Sequence, residues 1–60
     1  MKYKVGSLYR WRGIEYSFIL NINDRYVDYV ELDTLGSFGV HRRGDFDNYI
    51  KSGVIVILVE

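Results

Sequence analysis

Apolar and polar positions alternate along much of this chain with the two-residue period of β-strands. Glycines, and no prolines, separate the runs. The strongest run is Val54-Ile55-Val56-Ile57-Leu58-Val59, six consecutive apolar residues that are mostly β-branched. Such a run fits a pleated strand better than a helix. Successive side chains point to opposite faces, so Val54, Val56 and Leu58 share one side and Ile55, Ile57 and Val59 the other. Neither side carries a polar residue, so both require cover. The expectation is that Val54, Val56 and Leu58 fill the interior. Ile55, Ile57 and Val59 then face the short helix, the N-terminal segment or a second protomer.

Earlier runs complete an all-β plan. Val5-Gly6-Ser7 reads as an opening turn into a first strand, Leu8 to Arg12, ended by Gly13. Glu15 to Ile22 is the second strand, with Tyr16, Phe18, Leu20 and Ile22 on the expected inner face. Asn23-Asp24-Arg25 favours a turn, so strands two and three form a hairpin. The third strand, Tyr26 to Asp33, changes phase between Val27/Tyr29 and Val30/Leu32, which predicts a bulge or bend there. After the loop from Thr34 to Gly39, Val40 to Arg43 is a short fourth strand. Asp45 is placed to cap one or two helical turns from Phe46 to Lys51, with Phe46, Tyr49 and Ile50 on one apolar face. Gly53 supplies the left-handed stop before the last strand.

This order of elements resembles the SH3-like small barrels, of the kind found in KOW and Tudor domains. The resemblance is carried by Val5-Gly6-Ser7-Leu8, by Gly13 before the second strand, and by Asp45 to Gly53 before the last. It implies a five-stranded barrel with one short helical turn, spanning residues 1–60 as a single domain. The chain departs from nucleic-acid-binding members in having no net positive charge. It also lacks the Ala-Leu-Tyr-Asp-Tyr type of opening of signalling SH3 domains, which weighs against polyproline binding. Its compact length is similar to that of small phage accessory proteins.

Composition narrows the chemistry. Sixty residues without cysteine must rely on a dense core, and six Tyr, three Phe and one Trp supply the apolar area. Eight basic residues balance eight acidic ones, so no overall field drives the chain toward nucleic acid or membrane. The absence of a signal-like apolar run after Met1-Lys2-Tyr3-Lys4, and of any long apolar span, leads to an expected cytoplasmic location.

Catalysis is not expected. His41 is the only histidine, and an arrangement of Ser37, His41 and Asp45 exists only as spacing. Asp45-Phe46-Asp47-Asn48 lacks the later glycine and glutamate of a calcium loop, so no metal or cofactor is expected. Two basic clusters remain, Arg10 and Arg12 around Trp11, and His41-Arg42-Arg43. Arginine with aromatics suits a protein interface and equally a single-stranded nucleic-acid site. Trp11 can instead belong to the core beside Tyr9. The function expected from sequence is a non-enzymatic module for a protein partner, with nucleic-acid binding as the alternative. Self-association is expected through Ile55, Ile57 and Val59.

Overall fold

A computed structural model describes residues 3–32 and 36–60. The turns follow their local chemistry. Gly6 takes a positive φ of 91° in a turn closed by Ser7 N–H donating to the Lys4 carbonyl at 2.9 Å. Arg12 and Gly13 both adopt positive φ, 53° and 77°, linking β1 (Leu8–Trp11) to β2 (Glu15–Ile22). The Asn23 side-chain oxygen accepts from Arg25 N–H at 2.9 Å and Tyr26 N–H at 2.8 Å. That side-chain turn joins β2 to β3 (Tyr26–Glu31), as the asparagine predicts.

β4 (Phe38–Arg42), α1 (Arg43–Ser52) and β5 (Ile55–Val59) complete the order. The five strands form one antiparallel sheet in the order β4-β3-β2-β1-β5. The expected closed barrel is not formed, because β4 and β5 are the two edges and do not pair. The helix supplies the reason. It runs for ten residues instead of the short Phe46-to-Lys51 turn, and it packs on β5, β4 and β3. A helix about 10 Å across occupies the space that a closed interior would have filled.

The helix also starts earlier than its sequence suggests. Its N-cap is Arg42, with no side-chain cap, and Asp45 lies inside the first turn. Arg43 N–H donates to the Arg25 carbonyl at 2.7 Å, so the β2–β3 turn satisfies what a capping side chain would. The C-terminus behaves as expected, with Gly53 at φ 85° and its N–H on the Ile50 carbonyl.

The core lies between the sheet and α1 and consists of Tyr9, Ile19, Val27, Phe46, Ile50 and Ile55. Phe46 and Ile50 are buried and Tyr49 packs against them, as the helical spacing predicts. Tyr3 covers Phe46 from outside, with ring centroids 4.8 Å apart and its hydroxyl donating to Asp47 at 2.6 Å.

Two expected faces are reversed. In β2, Ser17 and Ile19 are buried while Tyr16, Phe18 and Leu20 are exposed. In β5, Ile55 is buried and Ile57 packs on the core, whereas Val56 and Leu58 are exposed. On that inner side Tyr9 and Phe46 meet edge to face at 5.2 Å and take up much of the space. Ser17 lies directly across from Tyr9. The expected slip in β3 belongs to β2 instead. Its register shifts between Ile19 and Asn21, and that irregularity lets Ile22 pair with Val27 and reach the core. Asp33 lies outside the described residues.

Candidate functional site

Strand pairing sorts the functional residues by face. On the helix side, β1 contributes Tyr9 and Trp11, β2 contributes Glu15 and Ser17, and β3 contributes Tyr29 and Glu31. With His41 from β4, they line a cavity of about 110 Å³. Tyr9, which lines the cavity, is 1% exposed, and its hydroxyl is buried without a hydrogen-bond partner among the described residues. Burial pushes its ionisation well above the ordinary tyrosine value. The neighbouring Ser17 side chain tempers that shift, and Tyr29 and Glu31 add to it.

His41 is the centre of an aromatic stack. Its ring lies 4.8 Å from Tyr29 and 5.1 Å from Trp11, near parallel to both, with Phe46 at 5.7 Å and Tyr49 at 5.9 Å. Burial lowers its pKa, and the Asp45 carboxylate partly opposes this. Burial therefore favours the neutral imidazole. The Tyr29 ring fits there because Gly39, its partner across the β3–β4 ladder, has no side chain.

The opposite face is open. Leu8, Phe18, Val30 and Phe38 form one row across four strands, flanked by Tyr16, Leu20, Val40, Val56 and Leu58. Seven of these nine are exposed, Phe38 to 76% and Val40 to 56%. Few charges interrupt the face. Arg10 pairs with Tyr16 and Val56, Arg42 with Tyr26, and Asp28 with Val40. Among the described residues the Arg10 Nε is buried without a partner.

The structure splits both basic clusters. Trp11 and His41 meet on the inner side, so Trp11 is packed within the fold. Arg10 and Arg42 lie on the outer face, three strands apart, or roughly 14 Å at ~4.8 Å per strand. Arg12 sits in the turn with its guanidinium 5.3 Å from the Trp11 ring centre. Arg43 begins α1 and donates to the Asn23 carbonyl at 3.1 Å. Of the expected interface trio, Ile55 and Ile57 serve the chain's own core and only Val59 is exposed. Ser37 is exposed ahead of β4, whereas His41 is packed among rings, and no hydrogen bond joins them among the described residues.

Sequence reading passed over Glu15, Ser17 and Glu31 as members of a shared site. The available signal was parity, because they lie at odd positions like Tyr9, Trp11 and Tyr29. Among the described residues no three His, Cys, Asp or Glu groups converge to hold a metal, and no helix is long and apolar enough to cross a membrane. Comparison with known protein families, curated proteins and solved structures finds no match to this chain.

Proposed function

We propose that this chain is a non-enzymatic interaction module that binds a protein through the open face of its sheet. A second copy of itself is the partner that the face fits. The observation carrying this reading is the exposed apolar row on the side away from α1. Contiguous apolar surface of this kind marks interaction sites. Five strands ~4.8 Å apart and about five residues long give a flat footprint of roughly 400 Å², which side-chain relief enlarges. A standard interface buries about 800 Å² per partner, so the flat footprint is about half of that and the dimer it supports is a weak one. Arg10, Arg42 and Asp28 give it both signs of charge, as a self-complementary surface needs. The strand order, with a helix before the last strand, also supports reading the fold as an opened relative of the SH3-like barrels.

Sedimentation at about 100 µM, far above a micromolar Kd, tests this. The expected wild-type species is a dimer, and Phe18→Lys should give a folded monomer. A monomeric wild type overturns the second copy as partner. The nucleic-acid reading has one observation in its favour: Tyr16, Phe18, Tyr26 and Phe38 share the face with Arg10 and Arg42. Steeply salt-dependent binding of a single-stranded oligonucleotide would favour it.

A further inference from the structure

The open face of the sheet carries two opposite charges at related places. Arg10 lies on β1 and Asp28 on β3, on either side of β2. Phe18 pairs with both Leu8 and Val30, so it marks the middle of the apolar row. Arg10 lies two residues beyond Leu8, and Asp28 two residues before Val30. Both outer strands are antiparallel to β2 and so run the same way, which puts the two charges at opposite corners about Phe18. At ideal strand spacings each is displaced from Phe18 by ~4.8 Å across the strands and ~6.8 Å along them. Both side chains are half-buried already. Among the described residues the Arg10 Nε is buried without a partner, and Asp28 makes no ion pair. Covering this face with apolar surface alone would leave both charges buried and uncompensated, which is strongly unfavourable.

Resting on the reading of a second copy as partner, we propose that the two copies pack face to face with their strands nearly perpendicular, so that Arg10 of each pairs with the partner's Asp28. Orthogonal packing is one of the two ordinary arrangements of stacked sheets. A two-fold axis lying between the sheets, at about 45° to the strands, exchanges the directions across and along them. It carries the partner's Asp28 to within roughly 3 Å of Arg10 in projection, and the symmetric pair forms at the opposite corner. An arginine side chain reaches across most of the ~10 Å between packed sheets. The aligned arrangements fail on charge. With the axis along the strands Arg10 faces the partner's Leu32, which sits beside Tyr16, and with the axis across them Asp28 does. The other diagonal sets Arg10 against the partner's Arg10. The chosen diagonal also brings Tyr16 over the partner's Val30 and Leu8 over the partner's Leu20, and leaves Arg42 at the solvated edge.

The test is sedimentation of the full chain with complementary charge reversals. Arg10→Asp and Asp28→Arg each replace attraction by repulsion at both corners, so either variant alone should dimerise at least about tenfold more weakly than wild type. Mixed in equal amounts the two variants regain both pairs, and the mixture should dimerise within about threefold of the wild-type Kd. Isotope-filtered NOE spectra of mixed labelled and unlabelled wild type should show Tyr16 of one copy against Val30 of the other, and Leu8 against Leu20. An aligned dimer would instead show Leu8 against Val30 or against the partner's Leu8. A monomeric wild type overturns the second-copy reading itself. A wild-type dimer overturns the crossed arrangement alone if the single variants associate unchanged, if their mixture does not reassociate, or if the contacts are those of an aligned dimer. Where a variant fails to fold by circular dichroism, the wild-type contacts decide.

Discussion

Gly39→Ala isolates the contact that holds the His41 stack together. A methyl group at residue 39 would collide with the Tyr29 ring, at its Oη and Cζ atoms. To escape, Tyr29 must leave its stack on His41 at 4.8 Å and its edge contact with Tyr9 at 6.3 Å. Aromatic pairs of this kind contribute about 0.5–1.5 kcal/mol each, so the loss is roughly 1–3 kcal/mol. Alanine recovers about 0.5–1 kcal/mol through lower backbone entropy in a strand. At the middle of these ranges the collision wins, and a net destabilisation of about 1 kcal/mol is expected. In a domain this small that lowers Tm by roughly 4–8 °C. Urea and thermal unfolding followed by fluorescence of the single tryptophan would measure it. In a Tyr29→Ala background the same substitution should become neutral or stabilising, because nothing remains to collide with. A Gly39→Ala protein that melts at or above wild type, or a penalty that persists without the Tyr29 ring, would refute the reasoning.

Other expectations follow from single contacts. Phe46→Ala removes a fully buried ring that touches Tyr3, Tyr9 and His41 and should cost about 3–5 kcal/mol in chemical denaturation. Tyr9→Phe should raise stability by about 1 kcal/mol, since it deletes a buried hydroxyl without a partner; a loss of that size would mean the hydroxyl is bonded. His41 should titrate by NMR below its ordinary pKa of about 6.5. With the folded value depressed, the unfolded chain takes up the proton first, so this contribution is complete above about pH 6.5 and is lost as pH falls through the folded value. His41→Phe should flatten that part of the stability profile; an unchanged slope would assign it to other groups.

The number and order of strands were legible in the sequence because turn residues act locally. Gly6, Gly13, Asn23 and Gly53 make their turns with atoms only a few residues away. The apolar face of α1 was legible for the same reason, since Phe46, Tyr49 and Ile50 share one helical surface whatever packs on it. The helix start was not legible, because the group that satisfies Arg43 N–H is the Arg25 carbonyl, far away in the chain.

Period-two alternation defines two faces of a strand, but it does not say which face meets the helix. In β2 the bulkier residues Tyr16, Phe18 and Leu20 suggested an interior, yet Ser17 and Ile19 are the residues that share the helix side with Tyr9 and Phe46. The same choice turned Ile55 inward and Val56 outward, and it joined Glu15, Ser17 and Glu31 into one cavity. Local sequence therefore determined the elements and their turns. Competition for a small interior decided the faces, the open sheet and the site, because side-chain volume is settled only when distant residues meet.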